Sequence, residues 1–441
     1  MRAKSFLSLF FLSAILIVST AKATESKPVL PIEHWTTKNG IPVYFVAKSQ
    51  IPMVDIGIVF RAGSAYDGTS PGIAQFTAQM LDQGTHNLNA DQIATRFESV
   101  GAHYNAAINQ DMAILNLRSL SSPQFFNSSF NTFVDIVSRA NFPQVAIDRI
   151  KKQTEVALQQ EAQTPTAIAR NAFYQALYNH HSYAVPLLGT NQSIKKITST
   201  KLIDFYQRYY VAKNAVIAIV GNVTKAKAVS LAEQLAIALP QGEKATLLPA
   251  IPTPQLTTYL HKIAYPSQQS TIFLGQIGIT LKDPNYFPLI LGNQILGGGI
   301  LTSQLFTEVR NKRGLCYGIS SRFNTLEAGG PFIIVLQTRN DQASTALTVT
   351  QSVLKKFIEK GPSEKELEAA KQALIGSFPL TIANNAAILG NLEKIGFYKL
   401  PLTYLDSYRE KLNNVNINQV RYAFQKHINP KKLLIVMLGD N

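Results

Sequence analysis

Hydrophobic and polar positions along this chain follow two alternating periods. Pro42-Val43-Tyr44-Phe45-Val46, Met53-Val54-Asp55-Ile56-Gly57-Ile58-Val59-Phe60 and Met112-Ala113-Ile114-Leu115-Asn116-Leu117 are short, nearly continuous apolar runs of strand length. Between and after them apolar residues recur every three to four positions, which predicts helices over 91–99, 123–138, 144–161 and 166–178. Strands separated by pairs of helices predict an α+β domain, with helices on one face of a largely antiparallel sheet. The best-defined helix is the first, from Gly72 to Thr85. Ile73, Phe76, Met80 and Leu81, with Thr77 beside them, form its buried stripe, and Gln75, Ala78 and Gln79 share a patch away from it. Ser70 is placed to cap this helix, Pro71 to open it and Gly84 to close it in a left-handed conformation.

The pattern repeats. Leu202–Tyr210 leads into the apolar run Lys213–Asn222, and Val420–Ile428 leads into Lys431–Asp440, at a constant offset of 218 residues. A second match, at an offset of 215, sets 72–85 against 287–300. Each copy of the first match reads as a helix, a strand and a Gly-Asn or Gly-Asp turn. Two matches in the same order at nearly the same offset predict a duplicated chain. The aperiodic, proline-rich stretch between the copies reads as a linker over 241–256. The domains are then 24–240 and 257–441.

Gly72-Ile73-Ala74-Gln75-Phe76-Thr77-Ala78-Gln79-Met80-Leu81-Asp82-Gln83-Gly84-Thr85 resembles the Gly-Leu-Ala-His-Phe-Leu-Glu-His motif region of the pitrilysin, insulysin and mitochondrial processing peptidase family. Members of that family are inverzincins, whose His-x-x-Glu-His sets two zinc-binding imidazoles and a general base on one helix face. Here Gln75 and Gln79 stand at the histidine positions, Ala78 at the glutamate, and Val156 where the family's third ligand is due. Glu155 is one residue away and Glu161 a turn further on; both read as solvated helix glutamates. Carboxamides are poor zinc ligands beside imidazole, thiolate or carboxylate, and a methyl group takes no proton from water. No metal or cofactor is expected on this chain.

A second stretch resembles the family in the opposite sense. Leu296-Gly297-Gly298-Gly299 followed by Arg310 and, seven residues on, Tyr317 matches the family's glycine triplet and Arg/Tyr pair. The resemblance implies that Arg310 holds a substrate carbonyl or carboxylate, that the Tyr317 hydroxyl supports a tetrahedral oxyanion, and that the triplet Gly297, Gly298 and Gly299 brings backbone close to the chamber wall. The triplet is no phosphate loop, since no Gly-Lys-Ser/Thr follows. Tyr104-Asn105-Ala106 resembles the start of the family's substrate-pairing edge strand, so Asn105 and Ala106 are expected to bind extended peptide through backbone. Three decoys are set aside: Ser70 within Gly-x-Ser-x-Gly, the adjacent loop histidines His180 and His181, and Cys316, which reads as a packed thiol.

The first residues read Met1-Arg2-Ala3-Lys4, an apolar run to Val18, then Ala21-Lys22-Ala23, the pattern of a secretory signal peptide over 1–23. The expected product is exported, periplasmic in a Gram-negative host, without stable membrane insertion. Its formal charge falls from +15 to +12 as Arg2, Lys4 and Lys22 leave. The basic residues are scattered rather than interleaved with aromatics, so no nucleic-acid partner is expected. The one cysteine excludes an internal disulfide.

The resemblance implies two such domains forming half of a clamshell chamber. In the branch of the family built from separate two-domain chains, one subunit carries the zinc motif and the other the Arg/Tyr pair. The expected function is therefore that of a zinc-less subunit of a heterodimeric metallopeptidase. Its homologous His-x-x-Glu-His partner would hold the zinc, and both would enclose peptide or unfolded protein. The alternative is a stand-alone peptide-binding or assembly protein. A zinc site with other ligands is a weak third reading, since His86 and His103 have no helical partner at i+4.

Overall fold

The computed structural model of the protein describes residues 28–252 and 259–440. The expected signal segment 1–23 and part of the linker, 253–256, lie outside the described residues.

Two sheets carry the fold. The first is built from β1 (Glu33–Thr36), β2 (Pro42–Ala47), β3 (Met53–Phe60), β4 (His103–Ile108), β5 (Ala113–Leu120) and β6 (Ala215–Gly221), in the order β1-β2-β6-β3-β5-β4. The second contains β7 (Tyr259–Ala264), β8 (Gln269–Ile277), β9 (Gly318–Phe323), β10 (Pro331–Arg339) and β11 (Leu434–Gly439), in the order β7-β11-β8-β10-β9. Apart from the extra strand β1, the two orders are the same, and the duplication extends to strand direction. β6 runs parallel to β2 and antiparallel to β3, and β11 runs parallel to β7 and antiparallel to β8. The helices preceding β6 and β11, Ser199–Tyr209 and Ile417–His427, are the ones that the 218-residue offset pairs. The 123–138, 144–161 and 166–178 predictions correspond to helices Pro123–Arg139, Gln144–Ala162 and Pro165–Tyr178.

Helices of each half cover one face of that half's sheet, as expected, and the other face is covered by a helix from the opposite half. On β2, Val43 and Phe45 enter the main core, while Tyr44 and Val46 pack in a separate cluster with Ile388, Leu389, Leu392 and Ile395 of the helix Asn385–Phe397. A Cβ on Gly396 would lie 2.4 Å from the Val216 side chain, so glycine there lets this helix settle onto β2 and β6. The reciprocal element is Pro165–Tyr178. Its Phe173 ring packs 5.9 Å from Phe273 of β8, and Leu434, Val436 and Leu438 of β11 join the same core. Burial on both faces explains why these strands read as continuous apolar runs rather than alternating ones.

Asp111 fastens the crossing. Fully buried, it accepts hydrogen bonds from the hydroxyls of Tyr183 and, at 2.9 Å, Tyr398, and from the Glu327 amide at 2.9 Å. Arg61 pairs with Glu327 and stacks on Phe397 at 4.9 Å. No single helix among the described residues is long and apolar enough to cross a membrane. A bent pair, Glu364–Ile382 with Asn385–Phe397, passes on length and composition, and its second helix is the one buried on the first sheet.

Candidate functional site

The opening helix is shorter than its sequence pattern. It runs from Ile73 to Met80 with its apolar stripe buried, but Ser70 does not cap it and Pro71 lies outside it. The N-cap is Gly72 in a left-handed conformation, φ 89°, where an added Cβ would meet the Leu188 carbonyl oxygen at 2.7 Å. The orphan amides are satisfied from further back. The buried carboxylate of Asp67 accepts from the amides of Gly72 at 2.6 Å and Ala74 at 3.0 Å, and burial pushes its pKa up to about 7. Gly84 is likewise not a left-handed cap. It bridges to Asn89, and its small size admits Asn141 and Pro143.

At the motif positions, Gln75 is half-buried, Gln79 is exposed and Ala78 is buried. The expected three-residue surface patch is thus interrupted, because a methyl group is small enough to be covered over. Val156, on the helix Gln144–Ala162 packed against this one, is 52% exposed and presents an alkyl group to solvent. Glu155, beside it, is half-buried, and Glu161 is held by Arg170 at 2.8 Å. The donor set at 75, 78, 79 and 156 therefore does not fit zinc: it offers no imidazole, thiolate or carboxylate. Among the described residues no three His, Cys, Asp or Glu side chains gather in a metal-binding group.

The second motif assembles into one place. Gly297 ends up against β9, where a Cβ would lie 2.7 Å from the Ser321 amide nitrogen. The chain around it forms two π-helical turns, Gln294–Gly298 and Phe306–Asn311, a conformation that is rare and concentrated at functional sites. Gly297, Gly298 and Gly299 line a cleft of about 400 Å³ with Ile300, Phe306 and Gln337, and Thr166 closes it from the first half. The Gln337 amide donates to the Thr166 hydroxyl at 3.1 Å. Arg310, at the end of the second π turn, stacks its guanidinium over Phe306 at 4.6 Å and over Tyr317 at 5.6 Å. Among the described residues no carboxylate lies within salt-bridge distance of Arg310, and Tyr317 is 81% exposed. A half-buried planar cation fork and an exposed phenol beside a glycine-walled cleft are suited to holding a carbonyl and an oxyanion.

Asn105 and Ala106 lie on β4, the edge strand of the first sheet, which pairs only with β5 among the described residues. Its other edge presents backbone amides and carbonyls of the kind an extended peptide pairs with.

The decoys resolve as structural groups. His181 is buried, taking the Tyr183 amide on Nδ1 at 3.2 Å with Nε2 3.2 Å from the Pro249 carbonyl, while His180 is exposed. Cys316 is buried, and burial pushes its thiol up to about 11.

A second cleft takes in one motif position, Gln75, among residues that no motif announced. Beside Gln75, a cavity of about 340 Å³ is lined by Gln110, Glu161, Arg170, Asn171 and Tyr174, with an apolar wall from Ala184 to Leu188. Its polar residues come from three separate segments of sequence, so no local spacing announces it.

The fold and the two motif regions define a member of a peptidase superfamily whose metal motif has been lost. Residues 43–191 match the family described as insulinase (peptidase family M16), and residues 196–374 match the peptidase M16 inactive domain. The chain belongs to the M16 family. A crystal structure of a peptidase M16 inactive domain from Pseudomonas fluorescens is similar at a TM-score of 0.90 and 37% identity, covering 93% of this chain and 99% of that one. The non-peptidase homolog YmxG of Helicobacter pylori is 24% identical over 405 residues, 91% of this chain and 92% of its own. An uncharacterized zinc protease of Rickettsia felis is 29% identical over 345 residues, 76% of this chain and 80% of its own. The inactive-domain and non-peptidase descriptions fit a non-catalytic member of the family.

Proposed function

We propose that this chain is the exported, zinc-less subunit of a heterodimeric metallopeptidase, binding extended peptide and completing a site whose zinc is held by a homologous His-x-x-Glu-His partner. The observation that carries this reading is the Arg310–Tyr317 pair beside the glycine cleft, a half-buried guanidinium with no carboxylate partner among the described residues and an exposed phenol, in a chain whose own motif positions hold Gln75, Ala78 and Gln79. In the assembled enzyme Arg310 orients a carbonyl or carboxylate of the bound chain. Tyr317 donates its hydroxyl proton in a hydrogen bond to the oxygen on which negative charge develops. Export rests on the basic, apolar, Ala-x-Ala pattern of residues 1–23.

The test is reconstitution. The mature chain and the His-x-x-Glu-His homologue from the same host are purified separately and assayed on a quenched fluorescent peptide. Neither chain alone should hydrolyse it and the mixture should. Hydrolysis by this chain alone, or by the homologue at a rate this chain does not alter, contradicts the proposal. A stand-alone peptide-binding role is favoured by the open edge of β4, and would give peptide binding with no hydrolysis in any mixture.

A further inference from the structure

The cleft at Gln75 is rich in hydrogen-bond donors that have no partner among the described residues. Arg170 donates from Nη2 to Glu161 at 2.8 Å and from Nε and Nη2 to the side-chain oxygen Oδ1 of Asn171 at 3.3 and 3.4 Å, and its Nη1 has no partner among the described residues. The side-chain amides of Gln75 and Gln110 also have no partner there, and both side chains are half-buried rather than freely solvated. The one carboxylate in the lining, Glu161, is committed to Arg170 and fixes the orientation of the fork. What remains is an excess of N–H groups converging from the opening helix, the loop after β4 and the helix Pro165–Tyr178, against an apolar wall.

We propose that this cleft is a carboxylate-recognition subsite, taking an acidic side chain or the terminal carboxylate of a peptide that lies along β4. The inference rests on the peptide-binding reading above and adds the chemistry the peptide must carry. A carboxylate is the acceptor that matches a guanidinium edge flanked by carboxamides, because it accepts several N–H bonds at once and its charge strengthens each. The position fits an extended chain. Gln110 follows the end of β4 at Ile108, so a peptide paired with that strand and continuing past it reaches the cleft. Thr166 of the glycine cleft and Arg170 lie on one helix, four residues or about 6 Å of rise apart, which is the span of two residues of extended chain. The carboxylate then sits about two residues from the segment lying in the glycine cleft. The formal net charge, +15 for the full chain and +12 without residues 1–23, draws acidic chains towards the protein in general, and the cleft gives one carboxylate a defined seat.

The probes are three fluorescein-labelled peptides of alternating Thr and Val: one with a central Glu and blocked ends, one with Gln in its place, and the Gln peptide ending at that residue with a free carboxylate. Dissociation constants come from fluorescence anisotropy at 0.15 M salt. The Glu peptide should bind roughly tenfold more tightly than the Gln peptide, the scale of a charge-assisted hydrogen bond. The advantage should fall to about onefold in Arg170→Gln. A gain confined to the Glu peptide assigns the seat to side chains, and a gain confined to the free acid assigns it to chain ends. Gln110→Leu, at a side chain that makes no hydrogen bond among the described residues, should reduce the ratio roughly threefold and carries the test should Arg170→Gln fail to fold. Equal affinity of all three peptides, or a Glu advantage that survives both substitutions, overturns the carboxylate seat and leaves peptide binding intact. No measurable binding of any peptide overturns both readings together.

Discussion

The guanidinium of Arg310 lies 5.6 Å from the centre of the Tyr317 ring, and the tyrosine is 81% exposed. An aromatic side chain this open contributes little to packing. Substitution at either position should therefore separate function from stability. In the reconstituted complex Arg310→Ala and Tyr317→Phe should each lower kcat by about a hundredfold, the scale of losing one oxyanion donor. Thermal unfolding of each variant should stay within roughly 0.5 kcal/mol of the parent. A large loss of stability with unchanged turnover would mean the pair is only structural.

Restoring one imidazole should not restore a metal site. Gln75→His leaves Ala78, Gln79 and the exposed Val156 in place, so a single ligand has no second or third donor. The variant should bind no stoichiometric zinc by atomic absorption and should hydrolyse no peptide. Measurable hydrolysis by this single variant contradicts the zinc-less reading of the helix.

Glu393 makes stability depend on pH. It is 5% exposed on the helix Asn385–Phe397, above Gly57 and beside Asn116 and Asp55, and burial raises its pKa to about 8. The unfolded chain releases this proton near the ordinary value of 4.5, whereas the folded chain retains it to about 8. The folded state binds more protons in that window, so the glutamate's contribution to stability falls as pH rises from about 4.5 to about 8 and is level above it. Glu393→Gln should abolish that slope and stabilise the protein at pH 8.5 by roughly 2 kcal/mol or more, from ~1.4 kcal/mol for each pH unit between the unfolded and folded values, reduced for local relaxation. Urea titrations at pH 5 and 8.5 measure it, and parallel pH profiles for the two proteins would refute it.

Asp111 accepts three hydrogen bonds, from two phenols and an amide, and has no exposed surface. Asp111→Asn turns one acceptor oxygen into an NH₂ facing donors. The loss should be about 2–4 kcal/mol by chemical denaturation, since a buried group is left unsatisfied at a junction joining both halves. A loss below about 1 kcal/mol would show that the junction does not hold the halves together.

β2, β3, β6 and β11 were legible because they are nearly unbroken apolar runs, and the repeat of Leu202–Gly221 in Val420–Gly439 announced the second half, whereas β7 to β10 and the strand order were read only from the structure. The crossing of Pro165–Tyr178 and Asn385–Phe397 was not. An apolar stripe shows that a helix is buried but does not say on which sheet. Glu393 in that helix looks like any solvated charge until the sheet beneath it is known. Ser70 and Pro71 satisfied every local rule for starting a helix, and Asp67 took the role because its buried carboxylate reaches two amides at once. Arg310, Tyr317 and the glycine triplet were readable only through their resemblance to the family's second motif. Arg170 and Gln110 were not, because the topology brings their cleft together from segments with no shared pattern.

The most direct measurement is native mass spectrometry of the mature protein purified from its own host, reading partner mass and bound metal together. The expected result is a one-to-one complex with a second chain of similar size carrying a single zinc. Zinc bound to this chain alone would contradict the reading of Gln75, Ala78 and Gln79, and a zinc-free monomer or homodimer would contradict the partnered enzyme.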